Sequence, residues 1–356
     1  MKDKKREKEM SFKGGSTDLN PYQHITQQLE IEFKEHLIVS RELVQKVEIE
    51  LLNAEQELFF DSELSPLLHL FIKGYKTYRS GILLILQGYS QDALVLCRTL
   101  QETLISSEYM LKDITKRSRA FMQFYFHAID GYINKLKAID PDIPILTQTY
   151  IEDHASKEWG NSKIKYRSEQ IGREIEYDLL YTALSKVAHP VPMGFNYYMQ
   201  EFNKKEEIYF ILNAGPGIIG SADAIHYITY FMIQLLLAVS PKLFPNIESF
   251  FISLEKKRKS ELLIEQIIVR TIRILNIEFP NITIPMMKYH NQSNILVFDP
   301  IEENELVIDC SSVLSNEPNF ITVESLLGQA LGIYKEICSH YTRYPDNPPV
   351  NLNAYI

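Results

Sequence analysis

The chain has little cysteine and almost no tryptophan: 3 and 1 in 356 residues. Cys97, Cys310 and Cys338 stand far apart and form no Cys-x-x-Cys pair. That excludes a disulfide framework and a cysteine zinc site, and it fits a reducing cytoplasm. No His-Glu-x-x-His occurs, and His24, His36, His69, His127, His154, His226, His290 and His340 do not cluster. A metal site therefore has no support, and no cofactor is expected. Phosphate-cradling loops are missing too, since Gly14-Gly15 and Gly215-Pro216-Gly217 lack the strand–helix setting of the nucleotide-binding motifs. Bilayer crossing takes about twenty apolar residues. The most apolar stretch, Tyr227 to Ser240, is shorter and stops at Pro241, so a buried core helix is expected and no membrane contact. The charged opening, Met1 to Glu9, has no apolar run behind it and is not a signal peptide.

Positive charge is scarce at one end. Net charge is −9 over the whole chain. Residues 1–260 hold 32 Lys+Arg against 34 Asp+Glu, and residues 261–356 hold 5 against 12. The last quarter is therefore a poor nucleic-acid surface and a better one for a protein partner. The remainder is near neutral.

What the chain does have is ordinary globular composition, 45% hydrophobic and 23% charged, arranged with helical periodicity. The pattern predicts a mainly α protein: a helical-bundle core with a small C-terminal α+β appendage containing a β-hairpin. Residues 1–20 read as a disordered basic tail, 21–245 as the bundle, 246–260 as a linker or helix ending in Lys256-Lys257-Arg258-Lys259, and 261–356 as the small acidic domain. Within the bundle, helices are expected over Pro21–Phe60, Ser62–Gly88, Ser90–Leu111 with Ser90 as N-cap, Lys116–Ile139, Glu169–His189 and Ser221–Ser240. Residues 140–167 look irregular, and Ile208–Leu212 looks like a short strand. In the appendage, helices are expected over Glu261–Ile277 and Val323–Tyr341. The hairpin pairs Ile295–Phe298 with Glu305–Asp309.

Two helix faces stand out chemically. Arg98 and Glu102 are four apart in one apolar helix, and Tyr181, Ser185 and His189 are four apart along another, so each set lines one side of its helix. Polar groups on apolar faces are costly unless partnered. The two faces could therefore converge, joining a cation, a carboxylate, two hydroxyls and an imidazole, though local spacing does not say whether they meet. An arginine in such a place suits phosphate or carboxylate. His189 precedes Pro190 at a helix C-terminus, where the dipole favours the protonated imidazole needed for acid–base chemistry. Ser185 is in reach of His189, but no Gly-x-Ser-x-Gly elbow is present, and a mid-helix serine ordinarily bonds its own i−4 carbonyl. Tyrosine is abundant at 21. Tyr75, Tyr78, Tyr197 and Tyr198 are either base-stacking surfaces or helix packing.

The order Arg98-x-x-x-Glu102, then an amphipathic helix with an early arginine, then Tyr181-x-x-x-Ser185-x-x-x-His189-Pro190 resembles the bacterial family known as domain of unknown function 5677, over about residues 35–240. The resemblance implies a helical core and these candidate positions, and names no reaction. The chain also resembles, more loosely, the HEPN-type helical bundles, many of which are metal-independent RNases of toxin and phage-defence systems. Those carry an Arg and a His on one helix with four to six residues between them. Here Arg119 and His127 are separated by seven residues, so an Arg–His pair would require Arg98 to reach His189 from another helix.

Two readings follow. In one, the protein is a ribonuclease-like enzyme: Arg98, Glu102 and His189 are catalytic, and Tyr181 and Ser185 bind an RNA or nucleotide substrate. In the other, the cluster is a structural network in a non-catalytic binding protein. That protein would engage a partner through its acidic C-terminal region or form a homodimer, and Arg98→Ala would cost several kcal/mol by stranding Glu102.

Overall fold

The computed structural model describes residues 23–61, 63–140, 153–188, 199–204, 207–212, 215–262, 287–290, 295–298 and 306–309. Helices dominate the described residues, as the periodicity requires. The core is built from three: α3 (Leu64–Leu86), α4 (Ser90–Leu111) and α10 (Ser221–Leu243), each packed on the other two. Glycine makes the closeness possible. Gly74 and Gly81, two turns apart on α3, sit against the side chains of Leu235 and Ile228 of α10, where a Cβ would collide. Leu67, Phe71, Tyr78 and Ile85 of α3 fill the core with Leu100 and Leu104 of α4 and Ile228, Phe231 and Leu235 of α10. By length and apolarity α10 is the one helix among the described residues that would suffice to cross a membrane. It is packed against α3, α4 and α11 (Glu248–Lys257).

Several expected boundaries shift, each for a local reason. The first long helix is divided at Phe33 (φ −113°, ψ 29°) into α1 (Gln23–Glu32) and α2 (Lys34–Phe60); Leu29, Phe33 and Leu37 stay buried through the break. Ser90 is the first helical residue of α4 rather than its cap, and its hydroxyl is buried without a hydrogen-bond partner. The turn before it relies on Gly88 (φ 79°), whose carbonyl accepts from the Gly217 amide at 2.9 Å. After α5 (Ile114–Ile139), the segment expected to be irregular contains α6 (Asp153–Asn161) and the start of α7 (Ile164–Ile171). Trp159 drives this order: its ring is buried against Phe121 and Tyr109.

The expected helix from Glu169 to His189 is broken by Gly172 (φ 77°), where the Arg173 amide bonds the Ser168 carbonyl at 2.8 Å and closes α7 in a Schellman turn. The chain restarts as α8 (Glu174–Glu176), passes through a π-helical turn (Tyr177–Tyr181) and continues as α9 (Thr182–Ala188). α10 runs through Pro241. α11, within the segment read as a linker or helix, is docked on α10 with Phe251 and Leu254 in the core.

Strands are few. β1 (Met199–Lys204) pairs antiparallel with β2 (Glu207–Leu212); the polar sequence of β1 carries no strand signal. Three four-residue strands follow, β3 (Met287–His290), β4 (Ile295–Phe298) and β5 (Leu306–Asp309), in an antiparallel order β3-β4-β5. The expected tail over 1–20 and helix over Val323–Tyr341 lie outside the described residues, as does most of the helix expected over Glu261–Ile277.

Candidate functional site

α4 turns one side toward α7 and α9, and that side carries Arg98, Glu102 and Glu108. Arg98 and Tyr181 meet. The Arg98 Nη2 donates to the Tyr181 hydroxyl at 2.6 Å, and that hydroxyl donates to Glu102 Oε1 at 2.9 Å. Arg98 Nε lies 3.3 Å from the same carboxylate oxygen. The guanidinium also sits 4.6 Å from the centre of the Tyr181 ring, which stacks on Tyr177 at 4.5 Å. An arginine, two parallel aromatic rings and a carboxylate thus form one stack, worth more than its separate contacts where solvent is partly excluded.

The local helix geometry shapes this arrangement. Tyr177 and Tyr181 bound the π-helical turn, a form of helix that recurs at functional sites. Gln101, fully buried, donates to the Glu176 carbonyl at the mouth of that turn at 3.5 Å. Burial raises the Tyr181 pKa above its ordinary value; the Arg98 hydrogen bond opposes the rise and Glu102 adds to it. Tyr181 is therefore a proton donor at neutral pH and no base. Ser185, one turn on, does not bond the i−4 carbonyl as expected: its Oγ is shut from solvent with no hydrogen-bond partner among the described residues. His189 lies outside the described residues, as do Tyr197 and Tyr198. Tyr75 and Tyr78 are core residues, 5% and 0% exposed, so neither is a base-stacking surface.

A second charged network was not foreseen. Arg173, just beyond Gly172, grips Glu108 with Nε and Nη2 at 2.6 and 2.7 Å, and donates through Nη1 to Glu176 at 2.7 Å. It also reaches the Gln234 side chain at 3.2 Å. The Tyr230 hydroxyl donates to Glu176 at 2.6 Å. Gln234 donates to Glu255 at 2.9 Å, and Arg258 clasps Glu255 at 2.6 and 2.8 Å while lying over the Tyr230 ring. Burial works against the Arg173 charge, but Glu108 and Glu176 outweigh it and raise its pKa. The visible signals were Glu108 inside an apolar run and the i,i+4 pair Tyr230 and Gln234 on the most apolar helix.

Exposure separates the two clusters. Arg173, Glu108, Glu176, Glu255 and Arg258 keep only 5–21% of their side-chain surface. Arg98 and Glu102 keep 24% and 33%. The Arg173 cluster is the less exposed and ties α4, α8, α10 and α11 together; the Arg98 cluster keeps more of its surface in solvent. At this exposure an ion pair is worth about 1 kcal/mol or less, so the several kcal/mol expected for Arg98→Ala is replaced by that smaller cost. No group of three His, Cys, Asp or Glu side chains converges as a metal would need among the described residues.

No curated protein and no solved structure matches the chain. A family model does, over a narrower span than the 35–240 expected from the motifs. Residues 64–207, the segment that contributes Arg98, Glu102, Glu108, Arg173, Tyr181 and Ser185, match DUF5677, described as a family of unknown function.

Proposed function

We propose that the Arg98–Glu102–Tyr181 cluster is a metal-independent site for a phosphodiester, RNA foremost, in a cytoplasmic effector of the toxin or phage-defence kind. The observation that carries this reading is the Tyr181 hydroxyl. It accepts from Arg98 and donates to Glu102 at a place where both charged side chains remain partly in solvent. A phosphate oxygen arriving there exchanges with groups already oriented. Arg98 holds it and stabilises the charge that develops on it; Tyr181 positions it through its hydroxyl, while the Ser185 hydroxyl, shut from solvent, lies behind it. The Tyr177–Tyr181 stack provides the flat apolar surface on which a base rests. His189, four residues after Ser185 in sequence, supplies the acid that protonates the leaving oxygen. With RNA, the 2′-hydroxyl attacks the adjacent phosphorus, its proton passes to water, and the bond to the 5′-oxygen breaks.

The test is cleavage of a labelled RNA in the presence of a chelator. Wild type is expected to cleave, and His189→Ala or Arg98→Ala to lose at least about a hundredfold, the usual weight of a general acid or charge-stabilising group. A folded His189→Ala protein with full activity overturns the assignment.

One observation favours a second reading: the Arg98 charge is already answered by Glu102. On this reading the cluster only fixes the register of α4 against the Tyr181 turn, and the protein binds without catalysis. In both readings we place residues 261–356 in a small acidic α+β appendage built on the Ile295–Phe298 and Glu305–Asp309 hairpin, with its excess of acid facing a protein partner. No RNA cleavage by wild type, with binding of a partner lost on deleting 261–356, favours the second reading.

A further inference from the structure

Arg167 of α7 is a buried cation with no anion to answer it. It is 8% exposed, and its guanidinium lies 4.0 Å from the centre of the Trp159 ring and 5.8 Å from that of Tyr109. Nε donates to the Ser162 hydroxyl at 3.3 Å, Nη1 to the Ser106 hydroxyl at 3.0 Å and Nη2 to the Trp159 carbonyl at 3.0 Å. All three acceptors are neutral. The other sequestered arginines differ: Arg173 has Glu108 and Glu176, and Arg258 has Glu255. Glu158, next to Trp159 in the chain, is engaged with the Lys116 ammonium at 2.9 Å, and Asp113 with the Lys116 amide at 3.2 Å. Burial pushes the Arg167 pKa down to about 10, with Tyr109 alone opposing. That fall reflects a cation held out of water without a countercharge.

Donors are also in excess here. A guanidinium carries five N–H groups, and the bonds of Arg167 leave one on each terminal nitrogen. The buried Ser106 hydroxyl accepts from Arg167 and has no acceptor for its own proton among the described residues. A second guanidinium, that of Arg117, lies 3.8 Å from the centre of the same Tyr109 ring and donates to the Tyr109 carbonyl. It forms no ion pair among the described residues, and it keeps part of its surface in solvent, on the side from which an ion approaches. We propose that Arg167, Arg117 and Ser106 form an anion site for a phosphate group, separate from the Arg98 cluster. Phosphate brings the missing negative charge and several acceptor oxygens, and its geometry suits guanidinium forks. The shelter of Arg167 favours a small phosphate, free or at the end of a nucleotide, over the backbone of a duplex. The inference is independent of what the Arg98 cluster binds.

Calorimetric titration of the full chain with inorganic phosphate, at an ionic strength held constant with chloride, tests it. The titration is made in an Arg98→Ala background, which removes the other proposed phosphate contact. Saturable binding is expected there. Adding Arg117→Met or Ser106→Ala should weaken it about tenfold or more, as the loss of a hydrogen bond to a charged group does. Both substitutions leave the buried Arg167 in place, and melting curves check that each variant is folded. A dinucleotide with and without a 5′-phosphate separates the sources: phosphate-dependent binding tighter than that of the free ion assigns a nucleotide end, and weaker binding assigns the free ion. No saturable phosphate binding in the Arg98→Ala protein, or binding unchanged by both added substitutions, overturns the proposal.

Discussion

The Arg173 guanidinium holds the Glu108 carboxylate through two parallel hydrogen bonds of 2.6 and 2.7 Å, tying the break after α7 to the last turn of the core helix α4. Removing one partner of such a pair leaves the other charged and largely out of solvent, with about a fifth of the Glu108 side chain exposed. Arg173→Ala strands Glu108 and Glu176 together and is expected to cost about 3–5 kcal/mol. Arg98→Ala is expected to cost about 1 kcal/mol or less. Urea unfolding of both variants checks the contrast, and equal losses would contradict the separation into a structural and an open cluster.

Tyr181→Phe removes a bridging hydroxyl and leaves the ring stack on Tyr177 in place. Glu102 and Arg98 retain their direct contact, so stability should change by no more than about 1 kcal/mol. RNA affinity or cleavage should fall tenfold or more if the cluster binds a phosphodiester. An unchanged RNA assay in a folded Tyr181→Phe protein removes Tyr181 from the site.

Gly81→Ala should destabilise the bundle despite the better helix propensity of alanine. Propensity gains about 1 kcal/mol, but the added methyl group meets the Ile228 side chain across the α3–α10 contact, and overpacking of this kind typically costs about 1–3 kcal/mol. A net loss of stability on thermal unfolding is the expected result. A compensating Ile228→Val substitution should recover part of it.

Stability should fall in alkali. Burial raises the pKa of Tyr181, and it raises that of Tyr230 with help from Glu176, above the ordinary 10.0. Below pH 10 both tyrosines are neutral folded or unfolded, and the contribution is fully present. As pH rises further, the unfolded chain loses these protons first, so the native state binds more protons and its stability declines. Tyrosinate absorbance followed against pH, beside the melting temperature at each pH, should show late-titrating tyrosines that ionise together with unfolding.

Helical class and the alignment of Arg98 with Glu102, and of Tyr181 with Ser185, were legible in the sequence because each is local; that Tyr181 meets Arg98 was not. Periodicity of 3.6 residues and four-residue spacing depend only on neighbours along one helix. What the sequence did not show was set by contacts between elements. Gly172 splits an apparently continuous helix because the αL residue lets Arg173 turn toward Glu108. Trp159 orders a stretch with weak helical signals because Phe121 and Tyr109 receive its ring.

The sequence by itself determined that this chain buries helices and places polar groups on two of their faces. Only the tertiary structure decided which polar groups are sealed and which stay open. Glu108 and Glu102 occupy the same helix and have the same chemistry. One is sealed by Arg173 beside α10, and the other stays a third exposed beside Tyr181. Burial depends on what packs across from a residue, and that partner lies 65 positions away for Glu108 and 79 for Glu102, far beyond the reach of any local pattern.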